Sequence, residues 1–310
     1  MERIHIKGDT WYLDAPRASI PFYKLGDGEV VLLDSGSEED GDIVGHFREH
    51  GERVAAVLNT HGHLDHVHNN VPLREAFGAE IHMPKLEAAM QESLLGLKAE
   101  YNPINYRIIQ QVFAHSLFSA DHLIGVDQEA VTVGGAVFRI IQTPGHSVSH
   151  VSFVTPDNVC YAGDVVSSPD LLSKARILYT FCYAEDLKSK KKLARESCDC
   201  FITAHRGAFA DGRELARENI RYLYERVELM LKYLDRPMSR EEIYRALFIG
   251  LGLHGGSPWK ESNTLNMLGA LIEFLQTTRR VTTECRDGVF IYTKVPGAEA
   301  WDIESELSDL

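Results

Sequence analysis

Four imidazoles and one carboxylate fall within eight residues of the stretch LNTHGHLDHVHNN, at His61, His63, Asp65, His66 and His68. On an extended backbone residues i and i+2 face the same side, so His61 and His63 can reach one cation. Asp65 and His66 follow where the loop should open a helix, and they point elsewhere, which suits a second cation close by. Gly62 would let the loop pass near the ions. Imidazole with carboxylate and no thiolate suits zinc, and also iron or manganese. Three more polar residues each stand just past an apolar, strand-like run: His146 in QTPGHS, Asp164 in CYAGD and His205 in FITAHRG. Strand ends gathered at one sheet edge are where α/β proteins build sites. The set totals five histidines and two aspartates, and Asp164 is the candidate to bridge two metals. A chance set of core polar groups is a poor explanation, because buried histidine and aspartate need partners.

The elements that must position these residues are legible in outline. ERIHIKG, TWYLDA, ASIPFYKLG and GEVVLLDSG are short and punctuated by Gly, Asp and Pro, so they read as a strand meander. Residues 38–50 look helical. RVAAVLNTH is a nearly continuous apolar run, as in a strand buried on both faces. VPLREAFGAEIHMP reads as helix, Gly turn and strand. Residues 85–122 break this rhythm as a helical insertion carrying Tyr101, Tyr106, Phe113 and Phe118, placed to cap the site. Strands return with EAVTVGGAVFRIIQT, HVSFVTP, NVCYAGDVV and SCDCFITAH, and 211–234 forms a long helix.

Pro237 ends that helix. SREE at Ser239–Glu242 fits a capping box. SNTLNMLGALIEFLQTTRR carries an apolar stripe, and Asp287-Gly288 makes a hairpin of VTTEC and VFIYTKV. The expected division is a catalytic domain over 1–236, a winged-helix-like unit over 237–296 and a loosely held acidic tail over 297–310.

The net charge of −13 argues against a general nucleic-acid or anionic-membrane binder, which needs a basic face. Arg279 and Arg280 give only a small basic spot beside Glu284 and Asp287. The start lacks an apolar h-region, and no apolar run reaches the length of a membrane span. Five thinly spread cysteines fit reduced thiols in the cytoplasm better than disulfides. Cys198-x-Cys200 lacks a second pair and is read as packing.

THGHLDH, TPGHS, AGD and TAHRG, in that order and at these separations, resemble the metallo-β-lactamase-fold hydrolases, in general character the glyoxalase II-like branch. The motifs span about residues 30–207. The resemblance implies an α+β fold, an αββα sandwich with a two-metal site on its edge. Carried over by motif, it implies that His61, His63 and His146 hold one ion, that Asp65, His66 and His205 hold the second, and that Asp164 bridges. It implies that Asp34, in LLDSG, supports the site from behind the ligands. Position 63 is His, not the Glu of the flavodiiron proteins, which argues against a redox iron site. The C-terminal basic residues by which typical glyoxalase II enzymes bind glutathione are not recognisable, and the motifs of the RNA-processing branch are absent.

The resulting expectation is a cytoplasmic hydrolase with two divalent cations, zinc first and iron or manganese as alternatives. A metal-bound hydroxide would attack a small-molecule ester, thioester or lactone, with Asp65 orienting the nucleophile and taking its proton. The alternatives are a metal-dependent ribonuclease or phosphodiesterase, and a non-catalytic binding protein on the same fold. His150, Tyr106, Tyr179 and Tyr183 are the candidate substrate contacts. His68 is read as a neighbour rather than a ligand, and His115 and His122 as surface residues. A small-molecule substrate is the expected partner, with neither membrane nor nucleic acid, and a homodimer is an option.

Overall fold

Alternation of apolar residues along the strands builds this molecule in layers. The computed structural model describes residues 1–102, 104–253, 256–298, 301–308 and 310. Its first sheet runs in chain order through β1 (Glu2–Lys7), β2 (Thr10–Asp14), β3 (Ser19–Gly26), β4 (Glu29–Leu33), β5 (Arg53–Leu58), β6 (Glu80–Pro84) and β7 (His122–Ile124). The second holds β8 (Ala130–Val133), β9 (Ala136–Gln142), β10 (Val151–Val154), β11 (Val159–Gly163), β12 (Cys200–Thr203) and β13 (Ala208–Phe209), in that spatial order. A third, small sheet is ordered β14 (Met238–Ser239), β16 (Val289–Lys294), β15 (Val281–Arg286). The helices are α1 (Ile43–Glu49), α2 (Leu64–Val67), α3 (Asn70–Phe77), α4 (Lys85–Gln91), α5 (Leu94–Glu100), α6 (Tyr106–Phe113), α7 (Pro169–Lys174), α8 (Tyr183–Leu193), α9 (Gly212–Tyr233), α10 (Arg240–Gly250), α11 (Pro258–Thr277) and α12 (Ile303–Ser308).

Successive side chains of a strand face opposite ways, and β4 and β5 use both faces. Val30, Leu32, Val54 and Val57 pack with Ile43 and Phe47 of α1 and Leu73 of α3, whereas Val31, Leu33, Ala56 and Leu58 pack with Phe138, Phe153 and Tyr161 of the second sheet. On the far side of β11, Cys160 and Ala162 meet Leu193 of α8 and Leu215 and Ala216 of α9. The order is helices, sheet, sheet, helices: the αββα sandwich expected. Parallel pairings of β4 with β5, β5 with β6, and β11 with β12 align the C-termini of three strands in the first sheet and two in the second.

The helix expected over 38–50 is split. A 3₁₀ turn over Glu38–Asp40 stops at Gly41 (φ 88°), and α1 restarts with Asp42 as its cap, accepting from Gly45 N at 2.7 Å. The long C-terminal helix starts earlier than its apolar stripe, because Ser257 caps it by accepting from Lys260 N. The capping box at Ser239 forms, and Asp287 and Gly288 both take positive φ (49° and 83°), as a type I′ hairpin turn requires. The expected insertion folds as α4–α6 and a short 3₁₀ turn, with Pro103 outside the described residues.

The tail is not loosely held. Residues 299, 300 and 309 lie outside the described residues, as do 254 and 255 of the expected winged unit. Elsewhere in the tail Leu307 is fully buried, Lys191 bonds Glu306 at 2.5 Å, and the Arg280 guanidinium sits 3.5 Å above the Trp301 ring. Trp301, Ile303, Leu307 and Leu310 are interleaved with the acids, and all four pack into the cluster shared by α9, α10 and α11. No helix among the described residues is long and apolar enough to cross a membrane.

Candidate metal centre

The loop after β5, the β9–β10 turn and the loops after β11 and β12 deliver all seven predicted donors to one place. His61 Nε2 lies 2.9 Å and His146 Nε2 3.0 Å from His63 Nδ1, and Asp164 Oδ2 is 3.5 Å from His146 Nε2. On the other side of Asp164, His66 Nε2 is 3.5 Å from Oδ2 and His205 Nε2 is 3.6 Å from Oδ1. Asp65 Oδ2 approaches His205 Nε2 at 3.7 Å and His66 Nε2 at 4.0 Å. The donors therefore form two groups, His61–His63–His146 and Asp65–His66–His205, with one carboxylate facing both.

The bonds behind these rings fix which nitrogen points inward. Thr60 Oγ1 donates to Asp34 Oδ2 at 2.7 Å, so it accepts from His61 Nδ1 at 2.9 Å and leaves Nε2 with a lone pair. His66 Nδ1 donates to Asp34 at 2.7 Å, and His205 Nδ1 donates to the Arg17 carbonyl at 2.8 Å. His66 Nε2 is thereby buried with no hydrogen-bond partner. An orphaned imidazole nitrogen among imidazoles and carboxylates is the environment a divalent cation completes. Donors about 2.1 Å from a tetrahedral ion lie about 3.4 Å apart, which matches the separations here. The residues fit two such ions.

Asp34 is the hub behind the site. Its carboxylate also accepts from Thr60 N at 2.7 Å and from the Tyr161 hydroxyl at 2.8 Å. Two carboxylates of the insertion escaped the sequence reading. Glu87, fully buried on α4, accepts from Gly62 N (3.1 Å), Ser147 Oγ (2.7 Å) and Ser149 N (2.9 Å), tying the loop of His61 to that of His146. Glu100, at the end of α5, puts Oε1 3.6 Å from His63 Nε2, and both its oxygens are buried with no hydrogen-bond partner among the described residues. Charged residues in an amphipathic insertion look like solvated ones, and only the packing of the helices shows otherwise. The same packing explains Gly62: a Cβ there would lie 2.7 Å from Gln91 Nε2, so the close approach is to α4 rather than to the ions.

The candidate substrate contacts divide. A cavity of about 440 Å³ opens from His146, Asp164 and His205 and is walled by Tyr179, Tyr183 and Arg226. Tyr179 stacks edge-on against His63 (5.0 Å) and His146 (5.5 Å), and Tyr183 also touches Phe274 of α11, linking the wall to the C-terminal helices. His150 is corrected. It is fully buried, donates from Nδ1 to Thr143 Oγ1 at 2.9 Å, and accepts the Asp164 amide on Nε2 at 3.2 Å. It therefore holds Asp164 from behind and cannot meet a substrate. Tyr106 is also corrected: it is 38% exposed at the start of α6 and is not part of the cavity wall. The insertion abuts the site at Glu100 and Tyr101, on the His63 flank, instead of roofing the cavity. His68 faces His115, away from the donors.

Burial and mutual repulsion hold His61 and His146 well below the usual imidazole range, and burial brings His63 to about 4 and His150 to about 3. His205 is raised to about 9, and His66 is also raised: burial opposes this, but Asp164 and the other acids outweigh it. Burial pushes Glu87 and Glu100 upward. These shifts set a pH dependence for the metal-free protein. Between pH 4 and the ordinary histidine value of 6.5, His63, His82 and His150 are neutral when folded but protonated when unfolded, and His61 and His146 are shifted in the same direction. The two raised carboxyls act oppositely, but the lowered imidazoles outnumber them, so unfolding takes up protons and stability rises with pH through this window. Thermal melts of chelator-treated protein should therefore fall on acidification through this window. A flat profile would contradict the burial assigned to these rings.

The family model described as the metallo-beta-lactamase superfamily matches residues 21–205. A hydroxyacylglutathione hydrolase of Cereibacter sphaeroides is 31% identical over 143 residues, 46% of this chain and 45% of that protein. A probable metallo-hydrolase of Streptococcus pyogenes is 28% identical over 168 residues, covering 52% and 63%. A hydroxyacylglutathione hydrolase of Haemophilus influenzae is 27% identical over 139 residues, covering 44% and 61%. The chain thus spans about half the length of the curated relatives it matches. Among solved structures, a metallo-beta-lactamase family protein of Thermus thermophilus aligns with a TM-score of 0.68 at 23% identity, covering 92% of this chain and 96% of that one. A beta-lactamase domain protein of Burkholderia ambifaria aligns at 0.70 with 18% identity, covering 95% of each. At these identities the two structures share the fold.

Proposed function

The chain belongs to the metallo-β-lactamase superfamily, and from that premise we propose that it is a hydrolase of small-molecule acyl compounds, thioesters, lactones or esters, dependent on two divalent cations, with zinc first and iron or manganese as alternatives. The observation that carries the reading is the convergence of seven donors in two groups that share Asp164 at the inner end of a cavity. His61, His63 and His146 would hold one ion, Asp65, His66 and His205 the other, with Asp164 between them. When bound, such ions supply a water of lowered pKa and a Lewis acid for the electrophile's oxygen.

The chain's own residues do the rest. Asp65, the most exposed of the donors, takes the proton of the attacking water. His63 presents Nδ1 to the centre, and its Nε2 side is backed at 3.6 Å by the buried Glu100. Burial keeps the Tyr179 phenol protonated, so it can donate to oxygen that gains charge beside His63 and His146. Tyr183 and the α8–α9 wall shape the acyl pocket. The relatives named hydroxyacylglutathione hydrolase support thioesters as the first substrates to try. The division into a catalytic domain over 1–236, a winged-helix-like unit over 237–296 and a tail stays part of the proposal, with the C-terminal unit buttressing the wall through Phe274. Arg280, one of the two arginines of the small basic spot, packs over the Trp301 ring.

The test is a panel of acylglutathione thioesters, lactones, carboxyl esters, phosphodiesters and single-stranded RNA, assayed with zinc-loaded and chelator-treated protein. Turnover of an acyl substrate that chelation abolishes and zinc restores is the expected result. Cleavage confined to RNA or phosphodiesters would move the function to the alternative class, and stoichiometric zinc with no turnover anywhere would leave a binding protein.

A further inference from the structure

Glu80, His82 and His122 cluster at the base of the helical insertion. β6 leads directly into α4, and β7 is the first strand after the insertion, so the chain leaves and re-enters the sheet on neighbouring parallel strands. In that pair His82 stands opposite His122, and Glu80 shares a face with His82 by strand alternation. The two rings stack with centroids 4.3 Å apart and 24° between planes. His122 Nε2 is 3.1 Å and His82 Nε2 3.9 Å from Glu80 Oε2. His82 is 6% exposed, and its Nε2, facing that carboxylate, has no hydrogen-bond partner.

We propose that Glu80, His82 and His122 form a third divalent-cation site, for a borderline ion such as zinc, that clamps the base of the insertion. Two imidazoles and a carboxylate whose donor atoms lie within 4.8 Å of one another make a three-point chelate with room for water as a fourth ligand. Burial, with His122 adding repulsion, keeps His82 neutral to about pH 4, as a ligand must be. Reading His122 as a surface residue misses this, because its partner is forty residues away and only the register brings the two together. The junction is already clasped beside the site: Asp121 accepts from Ile81 N at 2.8 Å and from Arg74 at 2.6 Å. The His82 carbonyl accepts from Asn59 N at 2.9 Å, two residues before His61, so the clamped strands also carry the ligand loop. An ion here closes a long excursion of chain at its two ends, where a cross-link restricts it most.

Full-length protein stripped with chelator, then titrated with zinc and with cobalt, tests this. Wild type should retain one equivalent more than His122→Ala, and Glu80→Gln should lose the same equivalent. His122 is half exposed, so its variant should fold normally. Hydrogen exchange across 85–121 should slow on adding zinc in the double variant His61→Ala/Asp164→Ala and stop responding when His122→Ala is added. Equal metal content in wild type and His122→Ala, or retention only at millimolar zinc, would overturn the site whatever the fate of the hydrolytic centre.

Discussion

Asp164→Ala should cost the protein metal at both positions and about 10³-fold or more in kcat/KM, because its carboxylate is the one donor that faces both groups. His61→Ala should remove one equivalent and a similar share of activity. Neither change touches the apolar clusters between the sheets, so both variants should keep the wild-type far-ultraviolet spectrum. In the metal-free state Asp164→Ala should melt below the wild-type temperature, because the folded state stabilises its ionised carboxylate. Asp164 is held ionised well below the usual carboxylate range: burial opposes this, but His205 and His66 prevail. Removing it strips His66 and His205 of the counter-charge that raises them. The decisive measurement is metal content of the purified variants beside kcat/KM on the best acyl substrate. Wild-type metal in Asp164→Ala would mean that the ligand assignment is wrong.

Asp34→Ala should be the most damaging single change outside the donor set. The side chain is buried and accepts from Thr60 N, Thr60 Oγ1, His66 Nδ1 and the Tyr161 hydroxyl within 2.8 Å. Removal leaves four buried donors without an acceptor, and breaking a buried charged network of this kind costs about 3–5 kcal/mol. The effect has two readouts. Chemical denaturation should show the loss of stability, and zinc affinity should fall by about 10–100-fold because His66 and His61 lose the bonds that aim them. Asp34→Asn keeps an acceptor oxygen and should retain more of the stability than of the affinity. A variant that loses stability with unchanged zinc affinity would reduce Asp34 to a packing role.

The candidate donor set was legible because its chemistry is local. His61, His63, Asp65 and His66 lie on one short loop, and the other three each follow an apolar run that can only be a buried strand end. The layers were legible for the same reason, since strands buried on both faces announce themselves. His150 and Tyr106 were misplaced because side-chain direction beyond a strand end, and the facing of a short helix, depend on neighbours far along the chain. The tail was misjudged because charge dominates its composition while four apolar residues at intervals decide its docking.

By itself, then, the sequence determined which atoms can bind cations and which strands carry them, since both follow from residue type and period. Only the tertiary structure decided what stands behind and beside those atoms. His150 as a support, Glu87 and Glu100 on the insertion, and the facing of His82 and His122 are set by strand register and helix packing. These are long-range choices in which burial turns an ordinary surface type, a glutamate or a histidine, into a buried group that must find a partner.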